Sequence, residues 1–247
     1  MRNPRLFTDQ PLTPGGQVVL KGNAAQHLGR VLRARAGDHI ALFNGDGQEF
    51  AAQVLTVSKG EITVDIGAAA TPDTESLVYT ALGLCLSKGD RFDWAIQKAT
   101  ELGVGAIAPL HSERVDFGIP PDRIEKRVAH WQQIAISACE QCGRVKVPSI
   151  TPPQALAFWV ESVLAEQKWV LHCTEDTGVS ASTVTQGAPR DAALLIGPEG
   201  GLTDQEFDVA SAKGFQLLQL GPRVLRTETA PAAALSVLSV FWGEMPS

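Results

Sequence analysis

Apolar and polar positions change their rhythm about a third of the way along the chain. Up to residue 70 the apolar runs are short and separated by tight turns. Val18-Val19-Leu20 follows Pro14-Gly15-Gly16, His39 to Phe43 follows Ala36-Gly37-Asp38, and Glu49 to Val57 and Glu61 to Ile66 flank Lys59-Gly60. Asn44-Gly45-Asp46-Gly47 is a strong hairpin signal, because Asn-Gly supplies the positive-φ positions of a tight turn. Ala24 to Leu32 predicts one short helix with Asn23 as its N-cap. Short strands joined by tight turns predict a small β-barrel over residues 1–70. The small and polar stretch Gly67 to Ser76 predicts a linker.

From Leu77 onward, apolar runs alternate with segments of helical spacing. Strands are predicted at Leu77 to Leu86, Val104 to Leu110, Val147 to Ile150, Lys168 to His172, Ala192 to Ile196 and Phe215 to Leu220. Between them, Phe92, Ala95, Ile96, Ala99 and Leu102 mark one helix face, and Gly103 stops the helix. Pro120-Pro121-Asp122 starts a long helix that Gly143 closes, and Pro152-Pro153 opens another that runs through Leu164. Trp94, Trp131, Trp159 and Trp169 fall within these patterns and are expected in the core. Strands alternating with helices predict a mostly parallel sheet covered by helices, in a second domain over residues 74–247.

One stretch of this second domain carries more than a fold signal. The run Ala192 to Ile196 does not alternate, as befits a parallel strand covered on both faces. It ends in Gly197-Pro198-Glu199-Gly200-Gly201, and Thr203 and Glu206 then give the Ser/Thr-x-x-Glu signature of a helix start. In open α/β sheets ligands bind at the carboxyl ends of such strands. The next strand also ends in a Gly-Pro loop, Gly221-Pro222, followed by Arg223 to Ala230 and an alanine-rich helix from Pro231 to Phe241. If the two strands are neighbours, the loops lie near each other. Neither loop has the Gly-x-Gly-x-x-Gly of a dinucleotide site or the Gly-Lys-Ser/Thr of a P-loop. Glu199 also repels a phosphate. A phosphate-free adenosine with a cationic sulfur suits apolar strand ends, backbone groups and a carboxylate.

Composition narrows the class without deciding it. The 247 residues are 44% hydrophobic and 19% charged, ordinary for a soluble protein. No run approaches the ~18 apolar residues of a membrane span, and the N-terminus leads into no apolar signal region. A cytoplasmic protein without membrane contact is expected. The net charge of −6 argues against wholesale nucleic-acid affinity, but the charge is unevenly spread. Residues 1–70 carry seven Lys/Arg against six Asp/Glu, and Lys21, Arg30, Arg33 and Arg35 form an acid-free basic stretch around His27. Cys139 and Cys142 form a lone C-x-x-C without the second pair of a zinc site or a thioredoxin-like context. No metal is expected.

Several motifs together resemble one family. Ile196-Gly197-Pro198-Glu199-Gly200-Gly201 and Leu220-Gly221-Pro222-Arg223-Val224-Leu225-Arg226-Thr227-Glu228-Thr229-Ala230 resemble the RsmE family of ribosomal RNA methyltransferases, of the knotted SPOUT class. Arg5-Leu6-Phe7, His27 with Val31-Leu32-Arg33 and Gly37-Asp38, Gln97 to Val104, Ser112-Glu113-Arg114 and Glu140 to Arg144 are similar to further signatures of that family, in the same order. The resemblance spans essentially the whole chain. It implies an α/β fold with a trefoil-knotted SPOUT methyltransferase domain behind a small PUA-like β-barrel that helps to bind RNA. It also implies a homodimer that uses S-adenosylmethionine to methylate N3 of one uridine in bacterial 16S ribosomal RNA, within the small ribosomal subunit.

The cofactor is then expected against Leu171, His172, Ile196, Gly197, Glu199, Gly200, Gly201, Leu220, Gly221, Leu225, Arg226, Thr229 and Ala230. Methyl transfer is an in-line displacement, so positioning is a large part of catalysis. Arg226, permanently charged, suits negative charge on the uracil carbonyls. Glu228 or Glu199 suits the N3 proton, directly or through water, unless Arg226 and Glu228 merely brace their loop as an ion pair. Arg226 and Glu228 are the catalytic candidates. Arg5, Arg30, Arg33, Lys88, Arg114 and Arg144 are the RNA-binding candidates, since cations bind phosphates. Two other readings stand beside this one: a non-catalytic RNA-binding protein retaining the fold, and a phosphate-nucleotide enzyme, which the missing motifs disfavour.

Overall fold

The structure is a computed structural model that describes residues 3–171, 179–180 and 187–244. The chain divides into two compact units. One comprises Met1–Glu75 with Cys139–Val147, the other Ser76–Ala138 with Pro148–Ser247.

In the first unit the strands β1 (Arg5–Phe7), β2 (Gln17–Leu20), β3 (His39–Phe43), β4 (Glu49–Ser58) and β5 (Glu61–Ala70) form one sheet in the order β1-β3-β4-β5-β2. β1 runs parallel to β3, and the other pairs are antiparallel. In β4, Phe50, Ala52 and Val54 are buried while Ala51 and Gln53 face out, the period of a half-covered sheet. With Leu6, Leu20, Ile40, Leu42, Ile62, Val64 and Ile66 they make the core. The turn at Asn44 to Gln48 is stitched by side chains, with the Asp46 N–H donating to Asn44 Oδ1 and the Gln48 N–H to Asp46 Oδ1.

Two expectations change here. Gly67 to Ala70 continues β5 instead of starting a linker, because Ala69 and Ala70 pair with Phe50 and Glu49. The helix predicted from Ala24 to Leu32 is α1 (Gly22–Gln26) followed by a π-helical turn at His27–Val31. Lys21, not Asn23, stands at the N-cap and makes no side-chain cap bond.

The second unit contains, in chain order, β6 (Tyr79–Cys85), α2 (Arg91–Glu101), β7 (Ala106–His111), α3 (Pro121–Cys142), β8 (Ser149–Ile150), β9 (Gln154–Ala155), α4 (Leu156–Ser162), β10 (Gln167–Leu171), β11 (Val179–Ser180), β12 (Asp191–Ile196), α5 (Asp204–Ala212), β13 (Gln216–Gln219) and α6 (Thr229–Phe241), the last turn of α3 belonging to the first unit. The sheet runs β11-β13-β10-β12-β6-β7-β8, with β9 also on β7, and every pair is parallel. Ala192 to Ile196 are all buried, as a strand covered on both faces requires.

On one face Ala193 and Leu195 join Cys85, Leu110, Trp159, Val170, Leu202 and Phe215. Leu194 and Ile196 alternate to the other side, where α6 packs on β12 and on α2. Gly83 allows the close approach of α4, since a Cβ there would lie 2.5 Å from the Trp159 ring. Trp131, Trp159 and Trp169 are buried as expected, but Trp94 is 42% exposed, one position outside the buried stripe Phe92, Ala95, Ile96 and Ala99.

Candidate active site

The order of strands decides what meets at the edge of the second sheet. β12 and β13 follow each other in the chain but are not neighbours, because β10 lies between them. Their Gly-Pro loops therefore flank the end of β10. The space between is a cleft of about 770 Å³, bordered by Leu171 at the end of β10, by Ile196 at the end of β12 and Gly197 to Gly201 after it, and by Leu218 and Gln219 at the end of β13 and Leu220 to Glu228 after it, with Arg91, Arg114 and Ala230. A cleft of this size suits a small-molecule ligand.

Each wall has a local cause. The Gly201 N–H donates to the Pro198 carbonyl at 2.9 Å, closing a turn in which Gly201 takes φ +71°. Gly221 takes φ +111°. A side chain would strain the backbone at either position. The Thr203 hydroxyl accepts the Glu206 N–H at 3.2 Å, and Glu206 Oε2 accepts the Thr203 N–H at 2.9 Å, completing the predicted capping box. The other Glu206 oxygen accepts the Glu113 N–H at 2.9 Å, tying the segment after β7 to the start of α5. Next to it, Arg114 Nη1 donates to the Gly200 carbonyl at 2.8 Å. Beneath this corner, burial pushes the Cys85 thiol up to about 12.

The floor is apolar, from Leu171, Ile196, Leu218, Leu220 and Leu225, while the rim carries four arginines, Arg91, Arg114, Arg223 and Arg226, and two carboxylates, Glu199 and Glu228. Glu199 pairs with Arg91 at the start of α2. Arg226 is exposed, and among the described residues its guanidinium makes no ion pair. The Arg226 carbonyl accepts the Thr229 and Ala230 N–H groups, both at 2.9 Å, which fixes the first turn of α6. Arg226 and Glu228 do not brace each other. Both border the cleft.

Of the residues read as cofactor contacts, Leu171, Ile196, Gly197, Glu199, Gly200, Gly201, Leu220, Gly221, Leu225, Arg226 and Ala230 border this one cleft. Thr229 does not: its N–H opens α6 instead. His172 lies outside the described residues. Among the lining residues that the sequence reading did not name as site residues are Arg91, Leu218, Arg223 and Thr227. Arg91 follows the Ser87 to Asp90 loop at the end of β6, and β6 pairs with β12, so strand pairing was the signal that finds it.

The six cations read as RNA contacts separate into three groups. Arg5 and Arg144 are corrected by burial. Arg5 is 9% exposed, and its Nη1 and Nη2 donate to the carbonyls of Cys139 (2.6 Å), Glu140 (3.2 Å), Gly143 (3.1 Å) and Arg144 (3.0 Å), with Nε on Glu49. Arg144 grips Glu75 through Nε (3.0 Å) and Nη2 (2.8 Å), and the second Glu75 oxygen accepts the N–H groups of Val145 and Lys146. Buried cations with this many partners hold the fold instead of facing a phosphate. Lys88 pairs with Asp116 at 2.8 Å and holds its carboxyl below the usual range, and Arg114 borders the cleft. Arg30 and Arg33 are exposed.

Residues 74–239 match a family model described as RNA methyltransferase domain, and residues 20–67 match one described as RNA methyltransferase PUA domain. Over 247 residues the chain is 31% identical to ribosomal RNA small subunit methyltransferase E of Buchnera aphidicola subsp. Schizaphis graminum, covering 99% of this chain and 98% of that one. The chain belongs to the ribosomal RNA small subunit methyltransferase E family. Two solved structures are similar throughout. A methyltransferase E from Neisseria gonorrhoeae bound to S-adenosylmethionine has 36% identity and a TM-score of 0.89, covering 98% of each chain. A Legionella pneumophila protein, described as a methyltransferase in complex with that cofactor, has 39% identity and a TM-score of 0.92, covering 97% of this chain and 98% of that one. Methyltransferase E membership agrees with the resemblance read from residues 196–201 and 220–230, and the PUA-domain match covers β3, β4 and most of β5 of the N-terminal sheet.

Proposed function

We propose that this chain transfers the methyl group of S-adenosylmethionine to N3 of a specific uridine in bacterial 16S ribosomal RNA. The observation that carries the reading is one cleft with an apolar floor, two glycine turns and an arginine-rich rim, at the carboxyl ends of β10, β12 and β13. These groups fit the cofactor: the floor takes the adenine, backbone groups of the two loops take its polar edges, and a carboxylate lies near enough for cationic groups. Bound there, the cofactor supplies a methyl carbon on a sulfonium, which leaves as a neutral thioether once the N3–C bond forms.

The chain's own residues do the rest. Arg226 faces the cleft without an ion-pair partner among the described residues, free to hold negative charge on the uracil carbonyls. Glu228 takes the N3 proton, directly or through one water. Glu199, already engaged by Arg91, shapes its loop and serves the cofactor side. Arg30, Arg33, Lys88 and Arg114 supply phosphate contacts. In this reading residues 1–70 are the RNA-binding domain and residues 74–247 the methyltransferase domain.

The same proposal includes a homodimer, action in the cytoplasm on the small ribosomal subunit, and a trefoil knot in the C-terminal domain. Among the described residues no helix is long and apolar enough to cross a membrane. The position of β10 between two strands consecutive in the chain supports the crossing.

The test is methylation of undermethylated small subunits, with mapping of the modified base. The expected product is one N3-methyluridine. S-adenosylhomocysteine raises the melting temperature by mass action, and ATP and NAD do not. Arg226→Ala keeps the fold and lowers kcat by about 10²–10³, as removal of a charge-stabilising donor does. Absence of cofactor binding, or wild-type turnover in Arg226→Ala, rejects the respective assignment.

A further inference from the structure

The segment from Leu28 to Ala34 is held at both ends and open in the middle. Leu28 is fully buried in the N-terminal core, Ala34 packs against the same core, and the Ala34 N–H donates to the Leu28 carbonyl at 3.0 Å. The Leu32 N–H donates to the His27 carbonyl at 3.0 Å, closing the π-helical turn. Between these pins the chain turns outward. Val31 is 68% exposed and Leu32 42%. Arg30, Arg33 and Arg35 are exposed beside them, and none of the three forms an ion pair among the described residues.

Arg33 takes φ +54°, and it is the only residue other than glycine with positive φ among the described residues. Glycine stands at this conformation elsewhere in the chain. A residue with a side chain pays backbone energy for that conformation. Single apolar residues on a surface need no explanation. Two adjacent ones, presented on a closed turn beside three cations that form no ion pair among the described residues, do.

We propose that this turn is a wedge that engages unstacked bases of single-stranded or looped RNA, with Val31 and Leu32 against base faces and Arg30, Arg33 and Arg35 on the flanking phosphates. The charge selects the partner: a local excess of positive charge around an apolar tip fits a polyanion whose bases offer flat apolar faces. Apolar wedges between base steps and arginine on phosphates are known means of nucleic-acid recognition. Unpaired RNA fits better than a duplex, because A-form RNA hides its base faces and keeps a narrow, deep major groove. The inference rests on the RNA reading above for the identity of the partner. It adds a part of the affinity that is apolar and selective for open bases.

The test is RNA binding by fluorescence anisotropy on the full chain without cofactor, over a range of salt, using a labelled hairpin with an unpaired loop and a perfect duplex of equal length. Val31→Ser/Leu32→Ser is expected to weaken hairpin binding about tenfold while leaving the slope of log K against log salt and the duplex affinity unchanged. Arg30→Gln/Arg33→Gln is expected to flatten that slope by about 1.4–1.8, in proportion to the phosphates lost. An unchanged hairpin affinity in the Ser variant overturns the wedge, as does an equal loss on the duplex. A changed sedimentation coefficient of the Ser variant also overturns it, because the tip is then a protein–protein contact. Since no cofactor enters the assay, failure of methyl transfer and failure of the wedge are read separately.

Discussion

Glu206 is the joint on which the cleft depends, and its replacement tests how the site is held. The side chain is 8% exposed, and each carboxylate oxygen accepts one backbone N–H, from Thr203 and from Glu113, both at 2.9 Å. Glu206→Ala leaves both donors without their acceptor, at roughly 1–3 kcal/mol each. Both bonds are only partly buried and water recovers some of the loss, so the total is about 2–4 kcal/mol. For a chain of this size that lowers the melting temperature of the second unit by roughly 4–16 °C. Glu206→Gln keeps one acceptor oxygen and should cost about half as much.

The functional consequence differs from the stability consequence. Glu113 adjoins Arg114, which holds the Gly200 carbonyl. Loosening the Glu113 tie lets Arg114 move and removes the preorganisation of the Pro198 to Gly201 turn. The affinity for S-adenosylhomocysteine should therefore fall about tenfold in Glu206→Ala, measured by calorimetry well below the transition. Differential scanning calorimetry gives the stability side. A Glu206→Ala melting temperature within about 2 °C of wild type, or an Ala variant that binds as tightly as wild type, refutes the reasoning. Equal losses in Gln and Ala refute the assignment to the acceptor oxygens.

Three further outcomes follow from the first unit and from one buried cysteine in each unit. Arg5→Ala should destabilise the N-terminal unit by about 3–5 kcal/mol, the cost of breaking a buried charge from its partners, in urea unfolding; a variant that unfolds like wild type but loses RNA affinity would restore Arg5 as a phosphate contact. Burial holds both the Cys85 and Cys139 thiols up at about 12, so iodoacetamide at mildly alkaline pH should leave both unmodified in the folded chain and modify both in guanidinium, as mass mapping reads. Burial also raises the Glu140 carboxyl above its ordinary 4.5, against the lowering effects of the Phe7 N–H and of the His27 and Arg5 charges. The folded state then holds this proton more tightly than the unfolded one, so this contribution to stability is full below 4.5 and is lost as pH rises through the raised value. Glu140→Gln should raise the urea midpoint near neutral pH and not in acid; a gain that is the same at both ends would show that titration is not its cause.

The elements of the second unit were legible because each is set by local physics. The run Ala192 to Ile196 reads as a strand covered on both faces, and the Thr203–Glu206 capping box closes as its spacing requires. Pro120-Pro121 and Gly143 bound α3. Where the sequence misled, the deciding contact was distant. Pro152-Pro153 predicted a helix start, but Gln154–Ala155 pairs with Leu110 and His111, and α4 begins only at Leu156. Trp94 fits the helical pattern by spacing, and one step of rotation places it outside the buried stripe. The basic residues show the limit most clearly. Arg5 and Arg33 are indistinguishable as letters, yet one is enclosed by four carbonyls and the other stands in solvent with a left-handed backbone.

The same limit applies to the cleft, which depends on the order of strands in the sheet. From the sequence, the two Gly-Pro loops lie near each other if their strands are neighbours, and these strands are not. The loops meet because β10 enters between those strands and its Leu171 end supplies the floor between the loops. Pairing partners of parallel strands come from anywhere in the chain, so no local pattern announces that insertion. The insertion makes a further demand. With β10 between them, the two loops cannot hold each other through a shared strand pair, and each needs its own anchor. The first has Glu206, Arg114 and the Arg91 pair. The second is fixed by the Arg226 carbonyl on the N-terminal turn of α6. Arg226 thereby anchors its loop through its backbone and leaves its guanidinium for the cleft, so a side-chain substitution there can remove chemistry without removing the wall.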